Sequence, residues 1–327
     1  MGRTTLRWLL ALGLLGSLSA QAASPVWAVR GQHNVVYLAG SIHMLPANDA
    51  ELPAGLTHAY ADSSRLVMEL DLGKFDPLEA MTWMADHGTL PAGTTLRGLL
   101  GEARYGRVSA AATSLGMPMI GLDALAPWVV GIEITDLAYE HEGFDPDQGV
   151  EEQLVRRAKA DGKPTAGLET LSEQLGSVSS LSSADQIRML DQTVDELKDL
   201  KSEMREVTTA WRQGDATHLA ALLSSEYSTF PALYKPLVTE RNRRWLPQVE
   251  ELLNTKDNAL VVVGALHLVG EEGLLELLRR KGYTITQLNE LDCRRRVRRG
   301  QRRTATAAAR ATASRRARAN RRSHRSG

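Results

Sequence analysis

The chain reads VVYLAGSIH from Val35 to His43, an apolar run that ends in a glycine with a histidine three residues later. It reads ALVVVGALH from Ala259 to His267, which repeats this arrangement near the other end. Each run is followed by a helix-like stretch and then by a second strand-like segment, 65–70 in the first case and 283–288 in the second. The sequence therefore predicts two related strand–Gly-x-x-His–helix–strand units.

The stretch between these units is mostly helical in its spacing. Segments 150–160, 183–211 and 239–253 carry apolar residues at helical intervals, while 117–123 and 165–169 read as short strands. Strands that alternate with helices predict an α/β fold with a mixed, largely parallel sheet and a helical middle. Ligands bind at the carboxyl ends of strands in such sheets, so the two histidines are expected to converge there.

Acidic residues follow three of the predicted strands. Glu69, Asp123 and Glu169 all come at the point where an apolar run ends. Buried carboxylates are costly unless they are paired or bind a metal, and two histidines with one glutamate are a ligand set of catalytic zinc sites. The same donors accept other divalent ions, so the set does not select manganese, cobalt or zinc.

Each candidate residue also has a simpler interpretation. Either histidine of the pair would form a hydrogen bond with a nearby backbone group, and the glycine before it would only allow the chain to turn. Glu69 would pair with an arginine, and Asp123 and Glu169 would cap helices. Arg241 and Asn242 either orient a carboxylate or a substrate carbonyl, or lie on an exposed helix face.

The first 23 residues have the features of a secretory signal peptide. Arg3 and Arg7 precede an apolar run over 8–18, and Ala20-Gln21-Ala22 fits a small-residue cleavage site. The alternative is an uncleaved anchor. We therefore expect a periplasmic or secreted protein with a folded domain over 24–291 and no transmembrane span after cleavage. Cys293 is the only cysteine of the 327 residues, so no intramolecular disulfide is possible.

Charge is divided unevenly along the chain. Residues 293–327 hold 14 arginines and no acid, which leaves 25 basic against 39 acidic residues in 1–292. The acidic part is not expected to seek nucleic acid, and the arginine-rich tail, 292–327, is predicted to be disordered. The tail would bind an anionic surface, fold back on the acidic domain, or have no role because it arises from a frameshift.

Taken together, the motifs resemble those of the TraB/GumN family, which includes the animal Tiki proteins, regarded as metal-dependent proteases. The resemblance covers about residues 26–291, and the paired Gly-x-x-His motifs are its most specific element. It implies a mixed α/β fold shared with erythromycin-esterase-like and haem-uptake proteins. It also implies that His43, His267 and Glu69 hold a divalent metal, with Glu169 and Arg241 as further site residues.

These observations favour an exported metal-dependent hydrolase, most simply a peptidase acting on a peptide or another small exported substrate. Glu69 or Glu169 would take the proton of the attacking water, and Arg241 or Asn242 would stabilise the developing oxyanion. The alternative function is a non-catalytic periplasmic binding or accessory protein on the same fold, with haem, a metal or a polysaccharide as its ligand.

Overall fold

The computed structural model describes residues 23–117, 120–228, 230–295 and 297. Its strands are β1 Ala23–Arg30, β2 Val35–Ser41, β3 Leu45–Pro46, β4 Arg65–Met68, β5 Phe144–Asp145, β6 Thr165–Gly167, β7 Ala259–Gly264 and β8 Ile285–Asn289. Its α-helices are α1 Ala54–Asp62, α2 Pro77–His87, α3 Leu96–Ser114, α4 Pro127–His141, α5 Val150–Asp161, α6 Leu171–Ser179, α7 Ser183–Glu196, α8 Leu200–Arg212, α9 Ala216–Ser228, α10 Pro231–Tyr234, α11 Glu240–Leu253, α12 Ala265–Leu268 and α13 Leu274–Arg280. A π-helical turn, Lys235–Thr239, joins α10 to α11.

Six strands form one sheet in the order β6-β4-β7-β2-β1-β8. The pairings β6–β4, β4–β7 and β7–β2 are parallel, whereas β1 is antiparallel to both of its neighbours. The prediction of a mixed α/β fold with a largely parallel sheet is confirmed. The register pairs Ser41 with Gly264, so both glycine–histidine turns leave the sheet at the same edge.

The sheet has a hydrophobic layer on each face, as parallel sheets require. Successive residues of β7 alternate between the two layers: Leu260 and Val262 belong to one cluster with Trp211, and Val261 and Val263 belong to the other with Trp245. This strand is therefore the centre of the core. Its β-branched side chains fit the pleated surface on both sides.

The helical middle differs from the sequence prediction in two places. The segment 183–211 is divided into α7 and α8, which are separated where Asp199 precedes the second helix. The short buried strand predicted over 117–123 is not present in the described residues of that segment, 117 and 120–123. Ile120 is 98% exposed, Gly121 has positive φ and a 3₁₀ turn begins at Leu122, so the chain turns at 120–123.

Both ends of the described chain are attached to the sheet. β1 starts at Ala23, the last residue of the predicted signal peptide; the rest of that prediction, 1–22, lies outside the described residues. Residues 290–295 are helical and Cys293 is buried, while most of the predicted tail also lies outside the described part. Within the described ranges, no helix combines the length and the apolar character that crossing a bilayer requires.

Candidate functional site

Three parallel strands and one helix bring the candidate residues to one edge of the sheet. Glu69 follows β4 directly, Glu169 comes two residues after β6, and His267 lies in α12, the short helix that follows β7. The fourth element is α11, whose first turn carries Arg241 and Asn242. These five side chains are buried, with between 0 and 8% of each residue exposed.

Arg241 is the central cation of the site. Its Nη2 donates to Glu69 Oε2 at 2.5 Å and to Glu169 Oε1 at 2.6 Å, and its Nε donates to Glu169 Oε1 at 3.0 Å. Nη1 lies 3.0 Å from Nε2 of His267 and donates to the backbone oxygen of Leu237. One guanidinium therefore bridges two buried carboxylates and an imidazole, which is the fork geometry that arginine offers.

Among the described residues, the carboxylate of Glu169 has its partners on α11. Besides Arg241, Nε1 of Trp245 donates to its Oε2 at 3.2 Å, and Arg244 lies 3.7 Å from the same oxygen. Burial raises the pKa of Glu169, against the hydrogen bonds and charge of Arg241. The helix-capping interpretation of Glu169 is wrong, because Thr170 is the N-cap of α6 and forms a capping box with Glu173.

His267 is neutral in the folded protein. Burial lowers its pKa to about 4, although the charge of Glu69 acts in the opposite direction. Nδ1 lies 2.8 Å from Oδ1 of Asn242, whose Nδ2 donates to the backbone oxygens of His267 and Glu272. The amide orientation assigns the ring proton to Nδ1 and leaves the Nε2 lone pair as an acceptor for Arg241.

Glu69, in contrast to His267, is charged in the folded protein, because neighbouring charges outweigh the effect of its burial. Burial by itself raises the pKa of Glu69, but nearby His267, Arg241 and His43 lower it to about 2. Because His267 is neutral at pH 7, Arg241 is the permanent cation among these partners. Oε1 also accepts the backbone N–H of Gly264 at 2.7 Å, and Nε2 of Gln174 donates to Oε2 at 3.0 Å.

His43 lies at the mouth of the site, and its side chain is 69% exposed. Nδ1 of His43 is 3.0 Å from Oε1 of Glu151, which also accepts a 2.5 Å hydrogen bond from Oγ of Ser41. The charge of Glu151 is the main cause that raises the pKa of His43 above its ordinary value. Glu151 thus fixes the ring through Nδ1, and sequence reasoning did not select this residue.

The three predicted metal ligands surround one point above Gly264. A methyl group on Gly264 would lie 3.3 Å from Oε1 of Glu69, 3.6 Å from Cδ2 of His267 and 3.9 Å from Nε2 of His43. Both histidines present their Nε2 side to the site because an acceptor holds Nδ1, as histidine ligands of metals usually do. We call this point the Gly264 cradle.

The donor set of the cradle fits a divalent ion in its chemistry, with two imidazoles and a carboxylate. Nevertheless, in the described part of the chain, no three His, Cys, Asp or Glu side chains are already arranged to hold a metal. The reason is visible at His267, where Arg241 occupies the Nε2 lone pair. A bound ion would have to take this lone pair from the guanidinium.

A cavity of about 270 Å³ opens beside the cradle. We call it the side cavity. Its lining includes His43 and Glu69 together with Glu151 and Glu152 of α5. Met68, Leu70, Leu72 and Pro146 provide apolar surface. The cradle is therefore open to a space large enough for a side chain of a ligand.

The structure thus brings together all of His43, Glu69, Glu169, Arg241, Asn242 and His267, and the exposed-helix interpretation of Arg241 and Asn242 is wrong. Asp123 takes the capping role instead, because its Oδ1 accepts the backbone N–H of Arg97 in the first turn of α3. Glu151, Gln174 and Trp245 belong to the site but were missed. Only Glu151 gave a signal: it is an acid three residues before Leu154 on the apolar face of α5.

By fold and site, this is a mixed α/β protein with a histidine–glutamate–arginine centre at the carboxyl edge of its sheet. A model of the TraB/PrgY/gumN family matches residues 25–287. The chain belongs to the TraB/PrgY/gumN family. The family resemblance expected from the Gly-x-x-His motifs is confirmed.

The relatives found in three bacteria are distant in sequence, but they cover most of the chain. "Uncharacterized protein YbaP" of Escherichia coli (strain K12) is 24% identical over 243 residues, which are 74% of this chain and 87% of that protein. The protein of the same name from Shigella flexneri gives the same values. An "Uncharacterized protein" of Treponema pallidum (strain Nichols) is 23% identical over 292 residues, 83% of this chain and 85% of its own length. No solved structure matches the chain.

Proposed function

We propose that this protein is an exported metal-dependent hydrolase, most simply a peptidase. The observation that carries the proposal is the Gly264 cradle, where the carboxylate of Glu69 and the rings of His43 and His267 lie within 4 Å of one point. His43, His267 and Glu69 would hold the ion, which is manganese, cobalt or zinc. When bound, such an ion polarises a carbonyl and lowers the pKa of water.

The residues around the cradle have separate roles in this proposal. Oε1 of Glu69 is the carboxylate atom nearest the cradle and would accept a proton from the attacking water. Nη1 of Arg241, which lies 3.0 Å from Nε2 of His267, would stabilise a developing oxyanion. Glu169 acts through Arg241, because three hydrogen bonds keep the guanidinium in place. Asn242 orients His267.

The direct test fills the cradle. Gly264 has a φ of −48°, so alanine is allowed there by the backbone, but its methyl group would occupy the convergence point. We expect Gly264→Ala to fold, and to lose the metal that elemental analysis detects in the wild type. Gly106→Ala is the matched control, because a methyl group there meets nothing within 4 Å.

Two histidine variants complete this test. His43→Ala and His267→Ala are each expected to lower metal content and peptide hydrolysis at least tenfold, whereas His33→Ala, at an exposed turn, should change neither. Metal retained at wild-type level in both His43→Ala and His267→Ala would refute the assignment.

A second function is favoured by one observation. Arg241 already satisfies Glu69, Glu169 and His267, so the site is electrostatically complete without an ion. A non-catalytic periplasmic binding or accessory protein would use this site as a rigid polar surface that binds haem, a metal or a polysaccharide. A purified protein that binds such a ligand, contains no metal and leaves peptides intact would support this function over the hydrolase.

Export and the internal repeat are further parts of the proposal. The sequence 1–23 supports passage to the periplasm or the medium, and N-terminal sequencing of the protein recovered there should give a start at Ala23 or Ser24. The paired glycine–histidine turns at β2 and β7 support an origin of both in one duplicated unit. The arrangement after them differs, since β4 lies beside β7 whereas β8 pairs with β1.

A further inference from the structure

The side cavity contains a buried carboxylate oxygen that the protein does not use. Glu151 is 7% exposed and lines this cavity. Its Oε1 is occupied by Ser41 and His43, but among the described residues its Oε2 has no hydrogen-bond partner. A buried oxygen without a partner is costly, so such an atom indicates a partner that a ligand or water supplies.

The charge around the side cavity is negative. Glu152, half-buried in the same wall, forms no ion pair within the described ranges. Two cations are near, and both are already paired: Arg241 with Glu69 and Glu169, and the ring of His43 with Oε1 of Glu151. An anionic ligand group would therefore be repelled here, and a cationic one attracted.

The rest of the wall is apolar. Met68, which is buried, lines the cavity together with Leu70, Leu72 and Pro146. A cation on an aliphatic stem matches this combination, because such a side chain places its methylenes on apolar surface and its charge at a polar end. At about 270 Å³ the cavity is slightly smaller than the roughly 300–1,000 Å³ of drug-sized pockets, which suits a single side chain.

We propose that the side cavity is a substrate subsite for an organic cation, an ammonium or guanidinium group carried on an aliphatic stem next to the group that reaches the cradle. Glu152 and Oε2 of Glu151 bind the cation. Two sources share this chemistry, a lysine or arginine side chain and the free amino terminus of a peptide. The inference rests on the proposed function for turnover, but binding at the subsite does not require turnover.

The test uses internally quenched octapeptides that differ at one position, which is lysine, arginine, norleucine or glutamate, each with a free or an acetylated amino terminus. Binding to the mature protein is measured by fluorescence anisotropy, and hydrolysis by the loss of quenching. We expect lysine or arginine peptides to bind about tenfold more tightly than norleucine peptides. If the amino terminus is the cation, acetylation removes the preference instead.

Glu152 provides the variants, because Glu151 also holds His43. Glu152→Gln should lower the preference for the cation at least threefold, and Glu152→Lys should turn it toward the glutamate peptide. Glu271→Gln, at an exposed position on the loop before α13, is the matched control and should preserve the preference.

The outcomes separate the two proposals. Equal binding of lysine, arginine and norleucine peptides, with no effect of acetylation, would overturn the subsite even if all are hydrolysed. A preference that survives both Glu152→Gln and Glu152→Lys would also overturn it. Binding of cationic peptides that depends on Glu152, without hydrolysis, would support the subsite and contradict the hydrolase.

Discussion

Arg241 determines the electrostatic state of the site at the scale of single residues. It is buried together with both of its carboxylate partners, Glu69 and Glu169. The net benefit of a buried ion pair over apolar residues is small, but removal of one partner is expensive, since the other charge is left without compensation. The consequence is a site that tolerates very little change at position 241.

The first prediction follows from this asymmetry. Arg241→Ala should lower the free energy of unfolding by about 3–5 kcal/mol, measured by urea denaturation at pH 7.5. Arg244→Ala is the control on the same helix, because Arg244 is 44% exposed and lies 3.7 Å from Glu169. It should cost less than about 1 kcal/mol. Similar costs for the two variants would contradict the central role of Arg241.

His267 gives a prediction about pH. Its pKa is about 4 in the folded protein against 6.5 for an ordinary histidine, so below pH 6.5 the unfolded chain binds a proton that the folded chain does not. Stability from this group is present above pH 6.5 and is lost as the pH falls toward 4. Between pH 6.5 and 5, wild type should therefore lose unfolding free energy faster than His267→Asn.

The difference in slope should reach up to about 1.4 kcal/mol per pH unit, which urea denaturation at intervals of half a pH unit resolves. Parallel curves for wild type and His267→Asn would mean that His267 is already charged in the folded protein. The Nδ1 proton and the Nε2 lone pair could then not be assigned as described.

At the residue scale, the sequence predicted which residues belong to the site better than it predicted which side chains contact each other. Glu69, Glu169 and His267 were recognisable because strand ends are where parallel sheets present side chains. The partner of His43 was not, because Glu151 belongs to another helix and comes close only when α5 packs near the end of β2. Local spacing carries no information on such a long-range contact.

At the scale of elements, a capping box determines where α6, one of the helices that carry site residues, begins. The helix α6, which brings Gln174 to Glu69, begins with a capping box between Thr170 and Glu173. The side chain of Thr170 accepts the N–H of Glu173, and the Glu173 carboxylate accepts the N–H of Thr170. Because the box satisfies two otherwise free backbone donors, it fixes where this helix starts.

Thr170→Ala should accordingly lower the free energy of unfolding by about 1 kcal/mol, within the range of about 0.5–2 kcal/mol for lost N-caps. Thr209→Ala, in the exposed interior of α8, is the matched control and should change stability by no more than about 0.5 kcal/mol. Guanidinium denaturation followed by circular dichroism measures both. An equal effect at the two threonines would assign the cost to the amino-acid change rather than to the cap.

The elements themselves were predictable where they have one clear period. The runs at β2 and β7 and the amphipathic α5 were recognisable for that reason. The division of the segment 183–211 into α7 and α8 was not predicted, because both halves continue the same apolar spacing and the break before Leu200 has no glycine or proline to mark it. Apolar periodicity shows which side of a helical stretch is buried. It does not show where one helix ends and the next begins when both bury the same side.

The arginine-rich end matters at the scale of the whole molecule. Residues 298–327 contain 11 arginines, against an acidic remainder. We predict that a protein truncated after Val297 unfolds at the same temperature as the full chain, within about 2 °C. Its binding to vesicles with anionic lipid should be lost, since juxtamembrane basic residues contribute about 1 kcal/mol each near such a surface.

Sedimentation with vesicles in 50 and 300 mM salt measures this attachment. The full chain should detach at the higher salt, because screening shortens the reach of surface charge. Neutral phosphatidylcholine vesicles are the control. Binding that is the same with and without residues 298–327 would show that the tail has no part in it.

Strand order has a consequence for how the molecule is made. β7, one of the two central strands, lies between β4 and β2 but is encoded near the end of the domain, and so is β8, the outer neighbour of β1. Domains emerging from the ribosome fold as units, and here the pairs β1–β2 and β4–β6 cannot join into one sheet until β7, which ends at Gly264, is available. A nascent chain would thus remain open through most of translation, a condition compatible with threading across a membrane before folding.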